Sequence, residues 1–175
     1  FDTVSHPKLL TKLQSCGITG DLLSVIKDFL LNRSQRTRVG CQLSNQKFLT
    51  SGVVQGSCLG PLLFLLFIND ISTIFQNPIT SKLYADDLKL YTTTETIHDS
   101  QQLQYCLDSL HQWSQDWQLT ISIKKCQTIQ IGSQALLSKR LREQSAPEYR
   151  IGDDFIPNVD SLIDPGVTMD RNIKF

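Results

Sequence analysis

Asp86 and Asp87 stand side by side, and the residues flanking them, 82–85 and 88–92, alternate as two short strands would. Two adjacent carboxylates at the tip of a hairpin make a hard, oxygen-rich group suited to Mg²⁺, the ion that phosphoryl and nucleotidyl transfer use. One element upstream, Ser51-Gly52-Val53-Val54-Gln55-Gly56-Ser57 and then Gly60-Pro61 form a glycine-rich loop. Glycine lets a ligand approach the backbone closely, and Gln55 offers both a donor and an acceptor. Taken separately, each feature has a plainer explanation. An Asp-Asp pair also suits a turn, and the loop also reads as an ordinary helix entry.

The elements that must position these residues follow from hydrophobic spacing. His6–Ser15 carries Leu9, Leu10 and Leu13 on one face, and Gly17 can close that helix in a left-handed conformation. Asp21 is placed to cap a second helix with Leu22, Leu23, Ile26, Phe29 and Leu30 as its inner stripe. Residues 36–41 and 47–50 read as two strands joined by a polar turn at Ser44-Asn45. Pro61 suits a first helical position and opens a helix running to about Phe75, apolar nearly all round and so expected to lie deep. From Asp99 a long helix carries Leu103, Leu107, Leu110, Trp113 and Trp117 on one face, which favours core packing over base stacking for the two tryptophans. Residues 127–131 read as a strand, 132–147 as a connector, and 149–169 as short strands separated by Gly152, Pro157 and Pro165-Gly166. Helices and hairpins in mixed order predict an α+β fold.

Bulk composition excludes less than it permits. The chain has 175 residues, 40% of them hydrophobic, enough for one ordinary core or a large piece of one. Its 17 basic and 17 acidic residues balance, so the whole chain carries no electrostatic signature of nucleic-acid binding. Locally, Arg33, Arg36, Arg38 and Lys47 crowd together and can follow a phosphate backbone, although a solvent-facing hairpin has the same composition. Five scattered cysteines, never spaced as CxxC, suit reduced thiols inside a cell, in the nucleus or cytoplasm, better than a disulfide frame or a zinc site. Asn32-Arg33-Ser34 matches a glycosylation acceptor, but no signal peptide precedes it, and the protein is not expected to be secreted. The longest apolar stretch, residues 62–68, is far shorter than the roughly 20 residues that cross a bilayer. His6, His98 and His111 show no ligand spacing. The start at Phe1 without a methionine, and the stop after an apparent strand, lead us to expect a fragment.

The combination of Phe1-Asp2-Thr3-Val4-Ser5-His6, SGVVQGSCLGPLLFLLFINDI at 51–71 and Tyr84-Ala85-Asp86-Asp87 resembles the reverse transcriptase domain of non-LTR (LINE-type) retrotransposons. Trp113…Trp117-Gln118-Leu119, Lys125-Cys126 and Gly166-Val167 followed by Asp170 extend the resemblance through nearly the whole chain. It implies a right-handed polymerase whose palm, a mixed or antiparallel sheet with packed helices, holds a three-carboxylate, two-metal centre. Asp86 and Asp87 would be the hairpin carboxylates of that centre, with Asp86 the more direct ligand of Mg²⁺ (Mn²⁺ as its substitute). Such ions, about 4 Å apart, activate the primer 3′-hydroxyl and neutralise the pyrophosphate. The resemblance also implies an RNA template, a DNA primer and dNTPs as partners, with no membrane. Gln55, Gly56 and Tyr84 match nucleotide- and template-contacting positions. Phe1 matches the bulky residue that excludes a 2′-hydroxyl, or is a simple core aromatic. Lys125 matches a lysine that protonates the pyrophosphate, or is a solvated strand-end lysine.

By the same resemblance, residues 1–131 form a palm incomplete at its N-terminal side, 132–147 the connector, and 148–175 the end of the palm and start of the thumb. The family's first metal-binding aspartate lies upstream of the position Phe1 occupies, and Asp2 follows the aromatic, so it does not take that role. Fingers and most of the thumb are missing. With one of three carboxylates absent, the isolated chain is expected to show no polymerase activity. Ser122 and Pro165 depart from the family's usual asparagine and leucine, and hint at a decaying copy. The competing reading is a non-catalytic nucleic-acid-binding or scaffold remnant of a retroelement.

Overall fold

The structure is a computed structural model that describes residues 1–132, 147–164 and 166–171. The chain forms two units. The first comprises Phe1–Gln76, Thr80–Leu90 and Trp113–Thr120. It begins with α1 (His6–Ser15), which ends as expected: Gly17 has φ +85°, Gly17 N–H donates to Gln14 and Ile18 N–H to Leu13, so the last carbonyls are satisfied by a Schellman turn. Helix α2 (Gly20–Leu30) starts with Thr19 as N-cap, so Asp21 sits in its first turn rather than capping it. There the carboxylate complements the helix dipole instead.

The simple hairpin expected at 36–50 is replaced by a nested pair. β1 (Ser34–Gln35) pairs with β4 (Lys47–Phe48), and inside them β2 (Arg38–Val39) pairs with β3 (Gln42–Leu43), all antiparallel. The chain reverses at Gly40, φ +59°, not at Ser44-Asn45. Ser44 is instead bonded to Thr37 through its backbone N–H and its side-chain oxygen, each at 2.9 Å.

Helix α3 (Leu59–Ile68) begins two residues before Pro61, and from Asn69 to Ile74 the chain tightens into a 3₁₀ turn. Leu63, Phe64, Phe67 and Ile68 are buried, but Leu62 and Leu65 are about half exposed, so α3 is not enclosed on every side. Val4, Leu9, Leu13, Ile26, Leu30 and Val53 are buried with it in the core of this unit. The hairpin of β5 (Thr80–Tyr84) and β6 (Asp87–Tyr91) forms where the alternation predicts one, but its turn lies one residue earlier than expected, at Ala85-Asp86 rather than Asp86-Asp87.

Nothing in the residue spacing announces the buried charge of the first unit. Lys12 on α1 donates to the Phe67 carbonyl and to Asp70 Oδ1 at 2.5 Å. Its ammonium lies 3.7 Å from the Trp117 ring centroid, 4.7 Å from Trp113 and 4.8 Å from Phe67. Trp113 Nε1 also donates to Asp70 Oδ1, at 3.3 Å. The tryptophans are therefore core residues, as their spacing suggests, and they enclose a cation.

In the second unit, α4 (Ile97–Trp117, whose last turn from Trp113 belongs to the first unit) starts in a capping box. Thr96 Oγ1 accepts from the Asp99 N–H, and Asp99 Oδ2 accepts from the Thr96 N–H at 2.7 Å. Donation to Asp99 Oδ2, from the Thr96 backbone N–H first and its hydroxyl second, holds the Asp99 carboxyl below the usual carboxylate range. β7 (Tyr149–Ile151) and β8 (Asp154–Ile156) form one antiparallel hairpin, and β9 (Ser161–Asp164) and β10 (Val167–Asp170) another. The Gln104 amide binds both backbone groups of Arg150 at 3.0 Å, tying α4 to β7. Gly152 lies under His111, where a Cβ would come 2.8 Å from the ring.

Residues 127–131, expected as a strand, form no ladder; Thr128 makes an isolated parallel bridge to Asn158. The connector, apart from Gly132 and Pro147, lies outside the described residues, as does Pro165. The class is α+β, and among the described residues the strands pair as five two-stranded ladders. No described helix is long and apolar enough to cross a membrane.

Candidate active site

The segment Phe1–Ser5 lies against the glycine-rich loop. Gly52 N–H donates to the Val4 carbonyl at 2.8 Å, Val53 N–H to Phe1 at 3.0 Å, and Ser51 Oγ to Asp2 at 2.9 Å. Gly52 is irreplaceable on two counts: its φ is +91°, and a Cβ would stand 2.9 Å from the Asp2 carbonyl oxygen. Buried His6 places Nε2 at 2.7 Å from the Gly52 carbonyl, and because a carbonyl only accepts, that nitrogen carries the proton. His6 is thereby structural.

Beyond Val53, the loop turns over Gly56, φ +77°, where a Cβ would meet no atom within 4 Å. Open space above a left-handed glycine leaves the backbone approachable. Ser57 then fastens the loop to α3: its hydroxyl donates to the Val54 carbonyl at 2.6 Å and accepts from Gly60 N–H at 2.9 Å. Gly60 is held so close that a Cβ would meet the Val54 oxygen at 2.5 Å. Ser57 and Gly60 are supporting residues to which the sequence alone assigns no individual role. Their signal is a serine three residues before a glycine at a helix start.

Phe1, Val53, Val54, Gln55 and Gly56, with Gly60 and Pro61 on the helix side, line a cavity of about 260 Å³. That volume suits a sugar or a base better than a whole nucleotide. The Phe1 ring lies 4.3 Å from Phe64, tilted by 31°, yet Phe1 remains 41% exposed. It is thus both anchored on the core and available to the cavity.

The acidic pair is built differently. Ala85 and Asp86 form the two-residue turn between β5 and β6, and Ala85 has φ +49°. A left-handed alanine costs about 1–2 kcal/mol. Asp86 occupies the turn, Asp87 begins β6, and both are exposed, as is Tyr84 on the opposing strand. Both carboxylates are open to solvent, where a divalent cation can reach them. Among the described residues no group of three His, Cys, Asp or Glu side chains gathers as a metal cluster. Two adjacent exposed carboxylates can still serve a divalent cation that completes its shell with water and other oxygen ligands.

Arg33, Arg36, Arg38 and Lys47 are all exposed on or beside the nested hairpins. Arg38 Nε donates to the Gly40 carbonyl at 2.9 Å, Arg36 Nη2 to Gln46 Oε1 at 3.3 Å, and the Arg33 guanidinium lies 5.7 Å from the Phe29 ring. These residues belong to the first unit, with Phe1, Gln55, Gly56, Tyr84, Asp86 and Asp87. Lys125 belongs to the second, exposed at the end of a 3₁₀ turn (Ile123–Lys125) rather than at a strand end.

Residues 1–151 match the family model of reverse transcriptase (RNA-dependent DNA polymerase). The chain is similar over its whole length to the RNA-directed DNA polymerase from mobile element jockey of Drosophila melanogaster, at 30% identity, and of Drosophila funebris, at 31%. It covers 19% of each of those proteins. Over 89% of its length it is 26% identical to the retrovirus-related Pol polyprotein from type-1 retrotransposable element R2 of Popillia japonica, covering 26% of that protein. The chain thus spans about a fifth of the first two relatives, and the similarity to them runs through the loop, the cavity and the acidic hairpin described above. The chain belongs to the reverse transcriptase family.

Proposed function

We propose that this chain is the palm portion of a mobile-element polymerase that copies RNA into DNA. Its substrates are dNTPs, joined one at a time to the 3′-hydroxyl of a DNA primer on an RNA template. The observation that carries this reading is the cavity floored by Phe1, Gln55 and Gly56, in the same unit as the exposed Asp86-Asp87 turn. Phe1 packs on the sugar and leaves no room for a 2′-hydroxyl. Gln55 gives hydrogen bonds to the nucleotide or template, and the Gly56 backbone lets it come close. Asp86 and Asp87 would hold a divalent cation, Mg²⁺ with Mn²⁺ as its substitute, which when bound would supply charge neutralisation at the phosphates. Tyr84 lies beside them as a template contact. The mechanism uses residues of the first unit alone. An intracellular site of action rests on the sequence alone, whose five cysteines are scattered and never spaced as CxxC.

Primer extension is the test. The complete protein carrying this segment, given RNA template, DNA primer, dNTPs and Mg²⁺, is expected to extend the primer in template order. The 175-residue chain alone, in which no third carboxylate gathers with the hairpin pair among the described residues, is expected to give none. Failure of the complete protein under these conditions would refute the reading.

The basic hairpins are proposed to grip the phosphate backbone. Replacing Arg33, Arg36, Arg38 and Lys47 by alanine is expected to weaken binding to primer–template alike for all sequences. It should also lower the slope of log K against log salt by about 0.7–0.9 for each phosphate that is no longer neutralised. A slope that does not change would make these four ordinary solvated residues.

A further inference from the structure

Asp2 has no part in the mechanism above, yet its carboxylate is committed to the cavity wall. Gln55 Nε2 donates to Asp2 Oδ1 at 2.7 Å, across 53 residues of sequence. The Asp2 backbone is held at the same place: its carbonyl accepts from Ser51 Oγ at 2.9 Å, and it runs so close to Gly52 that a Cβ there would stand 2.9 Å from its oxygen. A side-chain amide has two ends of similar size and opposite polarity, and in water it turns freely. A carboxylate accepts only, so it selects the NH₂ end and sets the carbonyl end, Oε1, away from itself. Phe1, immediately before Asp2, lines the same cavity as Gln55.

We infer that Asp2 is a positioning residue for the nucleotide: it fixes the Gln55 amide with Oε1 presented as an acceptor to an O–H or N–H donor of the substrate. The inference rests on the polymerase reading. It assigns the residue beside the sugar-packing aromatic a part in substrate binding that is neither metal ligation nor proton transfer. A charge-assisted bond is about twice as strong as a neutral one, which suits it to holding an amide on an exposed surface. Released from Asp2, the exposed Gln55 side chain would both turn its amide and leave the cavity wall for other rotamers, so the competent arrangement becomes a minor one and substrate binding weakens without touching the chemical step.

The experiment is steady-state single-nucleotide incorporation by the complete polymerase. Asp2→Ala is expected to raise KM for dNTP about tenfold, the worth of one well-made hydrogen bond, with kcat within about twofold. Asp2→Asn retains a carbonyl that accepts from Nε2 and should restore KM to within about threefold. Gln55→Ala should raise KM as far as Asp2→Ala, and the double variant no further, because the two act as one group. If Asp2→Ala leaves KM unchanged while the wild type extends primers, or if its effect multiplies with that of Gln55→Ala, the positioning role is wrong. A wild type that does not extend primers removes the polymerase reading, and this role with it. If Asp2→Ala alone lowers the melting temperature, the Asp2→Asn rescue and the KM-against-kcat split still decide.

Discussion

Asp86→Asn in the complete polymerase is expected to lower kcat for primer extension by about three orders of magnitude, with dNTP binding changed far less. Removing one preorganised charge from a transition state that develops charge costs a factor of about 10²–10³, and loss of cation affinity adds to that. The substitution is chosen because its structural cost is small. Asp86 is an exposed turn residue, and asparagine serves a turn as well as aspartate does. The strained residue of the turn is Ala85, which is unaltered. Asp87 begins β6 and carries the second carboxylate, so Asp87→Asn should cost about one to two orders of magnitude, with a raised Mg²⁺ requirement. Mn²⁺, which binds a given set of N and O ligands more tightly than Mg²⁺ does, should recover part of the loss in either variant. The readout is single-turnover incorporation against metal concentration. Both variants retaining more than a tenth of wild-type activity would dissociate the acidic hairpin from catalysis.

Sequence is informative where local chemistry dictates local form. The β5–β6 hairpin is legible because alternation and two turn-compatible aspartates agree, and α1 because Gly17 ends it in a way that satisfies its last carbonyls. The cavity is legible in part. Gly56 and Gln55 stand out by type, whereas Ser57, Gly60 and Asp2 matter through contacts that spacing does not display. The nested hairpins are not, because polar residues interrupted by Val39, Cys41 and Leu43 between Arg36 and Lys47 give several equivalent turns. Gly40, the one residue there that adopts φ +59° at no steric cost, decides among them. Residues 127–131 have strand composition but find no ladder partner among the described residues, and propensity without a partner does not make a strand. The depth of α3 is less than its composition suggests, because apolar residues on all sides do not ensure burial on all sides. Leu62 and Leu65 are half exposed.

Lys12 illustrates the limit most sharply, since a lysine on a helix is ordinarily solvated and this one is 5% exposed. Its partner Asp70 follows a long apolar run, and nothing in the spacing joins them. The enclosure predicts an asymmetry between two substitutions. Asp70→Ala leaves a buried ammonium with only the Phe67 carbonyl and three ring faces, and removes the acceptor of Trp113 Nε1. Losing one partner of a buried pair costs about 3–5 kcal/mol, and because the Asp70 side chain is 42% exposed the expected loss here is nearer 2–3 kcal/mol. Lys12→Met removes the charge, keeps the chain length and sets a thioether among Phe67, Trp113 and Trp117, so it should cost less than about 1 kcal/mol. The pH dependence separates the two further. Burial pulls the Lys12 ammonium below its ordinary value, against the opposing pull of the Asp70 carboxylate. Between the folded and unfolded values the unfolded chain binds more protons, so stability rises as pH climbs through that interval. Lys12→Met should abolish this rise, and Asp70→Ala, by removing the opposing pull, should widen it toward lower pH. Urea unfolding of the chain across mildly alkaline pH measures both. Equal losses for the two variants, or a rise that survives Lys12→Met, would mean that the ammonium is not held as a charge among the rings.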